Sequence, residues 1–295
     1  MVKKGKVATV GTFDGLHKGH RKVLDTVKQL AKTSGRQALA ICFDRHPLET
    51  IDPSRAPGFI QSPSERTNEL YKEGFEILTI RFTPEIAALT AEEWMQRMRD
   101  EHGVEALVVG YDNTFGCDGI GMSIEDFRQL GINLGMEVAE APVISGVSSS
   151  SIRKHLRQGR IEEASKLLGR SFSLTGTVVH GKGLGAKIGF PTANLDLHYK
   201  AQLPADGVYA AEALLPDGSK RMSVVNIGTC PTVNDSPGQR SIEVHVINLD
   251  EDLYGQRLKL RFLTRLRDEM KFDSIVELTS RIRKDIQEAL NLQNT

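Results

Sequence analysis

Over residues 6–141 the chain alternates apolar runs of strand length with stretches of helical periodicity. That alternation restricts the first half to an α/β fold, a mostly parallel sheet with helices packed on its faces. Residues 6–11, 37–43, 76–80, 105–110 and 136–141 read as strands, and residues 18–32, 62–72, 90–102 and 123–134 as helices. Val23, Val27, Leu30 and Ala31 share one face of the first helix. Thr90 with Glu93 three residues on is a helix-opening pair, and Trp94, Met95 and Met98 read as helix packing. In such sheets ligands gather outside the carboxyl ends of the strands, so chemistry is expected near Gly11 and Gly110.

Two short helices, 148–157 and 161–168, close this pattern, and Leu168-Gly169-Arg170 reads as a helix stop and linker. The expected domains are therefore 1–168 and 169–295. Beyond the linker, β-branched runs at 173–180, 208–215, 222–227, 242–247 and 258–262 are separated by Gly and Pro turns, the pattern of a small antiparallel barrel or sandwich. Ile275, Leu278, Ile282, Ile286 and Leu290 then mark an amphipathic C-terminal helix.

Charge excludes some functions. The 38 basic and 38 acidic residues cancel, and 15 of each sign fall in 171–295, so neither half is a basic domain masked by an acidic one. A neutral chain lacks the excess charge of a dedicated nucleic-acid binder. No run approaches a membrane span, and the basic start (Met1–Lys6) meets Gly11 too soon for a signal peptide. Cys42, Cys117 and Cys230 are scattered and odd in number, which points to a reducing, cytoplasmic setting. An oligomer is possible but nothing indicates one.

The segment Gly11-Thr12-Phe13-Asp14-Gly15-Leu16-His17-Lys18-Gly19-His20 leaves the first strand, turns, and enters a helix. Backbone N–H groups and the helix dipole favour an anion there, and two imidazoles three residues apart can donate to phosphate oxygens as an α-phosphate is attacked. A surface His pair is the plainer alternative. Further on, Ser148-Ser149-Ser150-Ser151-Ile152-Arg153 starts a helix with hydroxyls facing an anion and a guanidinium one turn in.

These two motifs resemble the nucleotidylyltransferase superfamily, and within it the FMN adenylyltransferase module of the bacterial bifunctional riboflavin kinase/FAD synthetase family. Phe43-Asp44-Arg45-His46-Pro47 and Gly110-Tyr111-Asp112-Asn113-Thr114-Phe115-Gly116 resemble two further motifs of that module, although Arg45 replaces a proline and Asn113 an aromatic. The resemblance implies a Rossmann-like domain. In it His17, His20 and Arg153 are catalytic, and Gly11, Thr12, Phe13, Gly15, His46, Gly110, Asp112, Ser148, Ser149 and Ser150 bind nucleotide or flavin.

In the second half, residues 176–183 nearly spell a P-loop, but Gly183 stands where Ser or Thr is required. Gly185 to Leu195 reads GAKIGFPTANL. Thr192 and Asn194 offer hard oxygen donors on one side of an extended segment. Glu243 shares a strand face with His245, which is read as structural. The string GxxxGFPTANL is similar to the nucleotide-binding signature of riboflavin kinases, small β-barrel enzymes. The motifs around Pro204–Tyr209, Asn226–Thr232, Ile242–His245, Asp252–Gly255 and Arg267–Phe272 follow in family order. The resemblance implies that Thr192 and Asn194 hold Mg²⁺ with ATP, that Glu243 is the base, and that Gly181, Lys187, Gly189, Pro191 and Arg267 contact nucleotide or flavin.

The expected protein is a transferase that phosphorylates riboflavin to FMN and adenylylates FMN to FAD, with riboflavin, FMN and ATP as small-molecule partners. Two alternatives stay open. One is a riboflavin kinase whose adenylyltransferase is weakened through Arg45 and Asn113. The other is a flavin- or nucleotide-binding regulator without turnover.

Overall fold

A computed structural model describes residues 5–111, 115–181, 183–229 and 240–292. Asn113, Cys230 and the proposed site residue Asp112 lie outside the described residues. The chain divides into two compact units, Met1–Pro57 with Pro63–Ser148, and Gly58–Ser62 with Ser149–Thr295.

The first unit runs β1 (Lys6–Gly11), α1 (Lys18–Ser34), β2 (Gln37–Phe43), α2 (Leu48–Ile51), a 3₁₀ turn (Pro53–Arg55), α3 (Pro63–Lys72), β3 (Glu76–Ile80), α4 (Pro84–Ala88), α5 (Ala91–His102), β4 (Val104–Val109), α6 (Ile124–Leu134) and β5 (Glu137–Glu140). Its five strands are all parallel, in the order β3-β2-β1-β4-β5. The order reverses direction at β1, so the crevice beyond its carboxyl end is the switch point at which such sheets bind ligands. Buried residues line both faces. Ala8, Val10, Leu39 and Ile41 pack with Trp94, Met95 and Met98 on one side, and Val7, Ala40 and Cys42 with Leu24 and Val27 on the other. Thr90 and Glu93 form the expected capping box at α5.

The second unit runs α7 (Ser149–Arg157), α8 (Ile161–Leu168), β6 (Ser173–Val179), α9 (Leu184–Lys187), β7 (Ala193–Asp196), β8 (Gly207–Leu214), β9 (Lys220–Thr229), β10 (Arg240–Val246), β11 (Arg257–Arg267) and α10 (Ile275–Asn291). Six strands close a barrel in the order β10-β7-β6-β11-β8-β9, with every pairing antiparallel. Closure removes exposed edges, which decides between barrel and sandwich. Helices α7 and α8 bury Ile152, Leu156, Ile161, Ala164 and Leu168 in the barrel's core with Phe172 and Leu174, so residues 149–168 pack with the second unit although they precede the linker. Phe59 also joins this unit, exchanging backbone hydrogen bonds with Lys200 and Gln202 at 2.8 Å each. Ala289, Ile286 and Leu290 of α10 cover a smaller cluster with Val208 and Val224.

Candidate functional site

In the first unit the segment after β1 is a tight buried loop. Phe13 (φ 46°), Gly15 (φ 84°) and Leu16 (φ 42°) all take left-handed backbone, which costs a non-glycine residue of order 1 kcal/mol. Phe13, Asp14 and Leu16 are fully or nearly fully buried, and that packing holds the conformation. Arg66 of α3, 2% exposed, donates to the carbonyl of Thr12 and, at 3.1 Å, to that of Phe43, so it ties the loop to the end of β2. No sequence motif marked Arg66. Its role is tertiary.

His17 caps α1, and its Nδ1 accepts from the backbone N–H of His20 at 3.2 Å. An accepting Nδ1 places the ring proton of the neutral imidazole on Nε2. The two imidazoles stack with centroids 3.6 Å apart, and His20 meets Phe13 edge-on at 5.4 Å. Gly19 permits this arrangement, because a Cβ there would fall 3.1 Å from the His17 ring. His17 is only 4% exposed. The structure therefore brings both histidines together at the N-terminus of a 17-residue helix, where orphan N–H groups favour an anion.

Among the other expected residues, Gly110 follows β4. His46 accepts from the backbone N–H of Leu48 at 3.1 Å ahead of α2, and Arg45 pairs with Asp44 at 3.3 Å. Ser148 precedes α7, and Ser149 and Ser150 are its first two residues. Arg153 is buried in that helix and donates from Nε to the Gly58 carbonyl at 3.0 Å, within the second unit.

Two cavities of the barrel bear on function. One, of about 360 Å³, is lined by His180, Gly181, Gly183, Pro191, Thr192 and Tyr254 among others. The other, of about 340 Å³, is more apolar. Its walls include Phe190, Met270 and Phe272, with Thr192, Glu243 and Arg267. Thr192 stands in the wall of both. Half-buried Glu243 lies opposite Asn194 of β7 and, on its other side, opposite Asn226 of β9. Side chains opposite one another across antiparallel strands share a face, so the three form one polar row.

Gly181 passes close over this row. A Cβ there would fall 1.9 Å from the Asn194 amide nitrogen. His245 faces the apolar cavity, and its Nδ1 donates to the Pro191 carbonyl at 2.8 Å, so it links that wall to the segment before β7. Lys187 and Gly189 are exposed and line neither cavity. His180 and Tyr254 stack at 3.6 Å beside the first cavity, a pair that the sequence does not single out. Asn226 stands in a family-like motif but gains a place at the site only through its register with Glu243.

Residues 1–153 match the FAD synthetase family, and residues 168–293 the riboflavin kinase family. The chain is 35% identical over 289 residues to a bifunctional riboflavin kinase/FMN adenylyltransferase of Bacillus subtilis (strain 168), covering 96% of this chain and 91% of that one. It is 34% identical over 291 residues to a protein of the same description from Pseudomonas fluorescens, covering 97% and 92%. A crystal structure described as a macrolide-efflux protein from Streptococcus pneumoniae aligns with a TM-score of 0.88 at 30% identity, over 99% of this chain and 95% of that one. Among the described residues, no helix here is long and apolar enough to cross a membrane.

Proposed function

Because the chain belongs to the bifunctional riboflavin kinase/FMN adenylyltransferase family, we propose that one half transfers the γ-phosphate of ATP to riboflavin, giving FMN, and the other transfers AMP from a second ATP to FMN, giving FAD and pyrophosphate. The kinase is assigned to 169–295 and the adenylyltransferase to 1–168, with the whole protein in the cytoplasm.

The observation that carries the kinase assignment is the position of Thr192 between a polar and an apolar cavity, with Glu243 facing the apolar one. In this reading the flavin ring occupies the apolar cavity and ATP the polar one. Glu243 takes the proton of the riboflavin 5′-hydroxyl as that oxygen attacks the γ-phosphorus and ADP departs. Gly181 and Pro191 bind the nucleotide within the polar cavity, exposed Lys187 and Gly189 are assigned to its part outside the cavity, and Arg267 borders the flavin. Thr192 and Asn194 supply two neutral oxygen donors. No group of three or more His, Cys, Asp or Glu side chains is placed to hold a metal among the described residues, which suits Mg²⁺ held largely by phosphate oxygens. Bound with ATP, Mg²⁺ neutralises developing phosphate charge.

In the adenylyltransferase, the Nε2 donor of His17, with His20 stacked on it, stabilises charge on the α-phosphate as pyrophosphate leaves. Gly11, Thr12, Phe13 and Gly15 bind nucleotide through their backbone and the adjoining helix start. Ser148, Ser149, Ser150 and Arg153 are assigned to the adenylyltransferase as hydroxyl and guanidinium donors, and His46, Gly110 and Asp112 to nucleotide and flavin binding.

The deciding experiment is a time course from riboflavin and Mg-ATP that resolves riboflavin, FMN and FAD. FMN should rise first and FAD should follow at its expense. An FMN plateau without FAD marks a weakened adenylyltransferase, and tight riboflavin binding without product marks a regulator.

A further inference from the structure

Three residues of α10, Leu278, Ile282 and Asp285, line the apolar cavity of the barrel. Their spacing of four and three puts them on one helical face, two apolar and one acidic. Asp285 is 1% exposed. Arg267, at the end of β11, donates to it from Nε at 3.1 and 3.0 Å to its two oxygens and from Nη2 at 2.8 Å. Arg281, one turn earlier on α10, adds a bond at 2.9 Å. The carboxylate is thus taken up by two guanidinium groups.

Burying an ion pair is expensive, and an apolar pair of similar volume often stabilises a fold as well or better. This pair stands in the wall of an otherwise largely apolar cavity, and the fold is not an evident reason for it. Arg267 is held at several further points. Its Nη1 donates to the Asp268 carbonyl at 3.0 Å, its guanidinium lies 5.8 Å from the Phe272 ring, and its side chain is only 13% exposed. The named bonds use three of the five N–H groups of a guanidinium, which leaves donors on Nη1 and Nη2 for acceptors brought into the cavity. A flavin ring carries carbonyl oxygens and ring nitrogens of that kind.

We propose that Asp285 is a positioning residue for the kinase reaction: it fixes the plane of Arg267 at the cavity wall and so sets affinity for the flavin, without touching the flavin or the reacting phosphate itself. The proposal rests on the reading that this cavity takes riboflavin. A preset guanidinium binds without the loss of rotamer freedom that a loose one would incur, so the effect belongs in riboflavin KM and not in kcat.

The test is steady-state riboflavin phosphorylation by full-length Asp285→Asn, Arg267→Met and the double variant, with circular dichroism melts alongside. Asp285→Asn is expected to raise riboflavin KM about tenfold or more, the scale of a lost charged hydrogen bond, with kcat and the KM for ATP nearly unchanged. In the Arg267→Met background, Asp285→Asn is expected to add less than about twofold, because it acts through Arg267. An unchanged riboflavin KM in folded Asp285→Asn overturns the proposal. So does a further tenfold rise in the double variant over Arg267→Met, which would mark a role carried by α10 alone. If Asp285→Asn leaves an unpaired Arg267 and does not fold, the double variant removes that unpaired charge, and its comparison with Arg267→Met decides. If Arg267→Met and Glu243→Gln both phosphorylate riboflavin normally, the assignment of the cavity fails instead.

Discussion

Glu243 and Asn194 lie directly opposite one another where β10 pairs with β7, with Cα atoms about 5 Å apart in such a pairing. The proposed base and one proposed metal ligand are therefore neighbours by backbone register, and neither needs a loop to bring it in. Glu243→Gln keeps the volume but cannot accept a proton. It should lower FMN formation by about 10²–10⁴-fold while FMN-to-FAD conversion by the same preparation proceeds normally. Chromatography of both reactions checks this, and equal loss of both would remove Glu243 from a kinase-specific role.

His17 has two duties that a simple truncation would confuse. Its ring caps α1 through the His20 N–H, and its Nε2 carries the donor assigned to the chemistry. Asparagine is a good helix cap but cannot reproduce that donor. His17→Asn should therefore melt close to the parent, whereas His17→Ala should lose about 1 kcal/mol of stability. Both should abolish FAD formation and spare FMN formation. An Asn variant with parental FAD synthesis would reduce His17 to a cap.

Thr192 borders both barrel cavities, so its hydroxyl is placed where nucleotide and flavin would meet. Thr192→Ala should raise the magnesium concentration needed for half-maximal riboflavin phosphorylation and lower its maximum. The magnesium titration of FMN adenylylation should not move. A kinase titration that superposes on the parent's would remove Thr192 from the metal site.

The legible parts of this molecule are those written in local periodicity. The alternation of Lys6–Gly11, Gln37–Phe43 and Glu76–Ile80 with amphipathic helices was enough for the parallel sheet, and Thr90 with Glu93 announced the start of α5. Strand β7 was legible only as an extended segment because Ala193–Asp196 has no apolar run, and its pairing with β6 and β10 makes it a strand. Strand β11 continues past Phe262 to Arg267, and the extension was missed because bulges at Phe262/Thr264 and Arg265/Arg267 break the alternation that a sequence reading relies on. Helices α2, α4 and α9 are four or five residues long, too short for a period to show. At the sites, His17, His20, Thr192, Asn194 and Glu243 were visible because they sit in contiguous motifs. Arg66 and Asp285 were not, since each acts on a residue far along the chain, Thr12 in one case and Arg267 in the other.

Cysteine reactivity tests the packing of the parallel sheet independently of catalysis. Cys42 is fully buried on β2, and burial pushes its thiol up to about 11, against a smaller downward pull from the Arg66 charge. At pH 8 the thiolate fraction is then about 10⁻³, and the side chain is also inaccessible. Cys117 is exposed. Brief iodoacetamide treatment of native protein at pH 8 should label Cys117 and leave Cys42 untouched, with Cys42 appearing in peptide mass spectra only after unfolding. The same burial has a sign in stability. Between the ordinary thiol value of 9.0 and about 11 the unfolded chain releases this proton while the native chain keeps it. The unfolded state therefore binds fewer protons, and Cys42 removes stability as pH rises through that window, by at most about 1.4 kcal/mol per pH unit. Below pH 9 it has no such effect. Urea unfolding at pH 8 and pH 10 should thus show a smaller alkaline loss for Cys42→Ala than for the parent. An identical loss in both, or labelling of native Cys42 at the rate of Cys117, would place β2 outside the core.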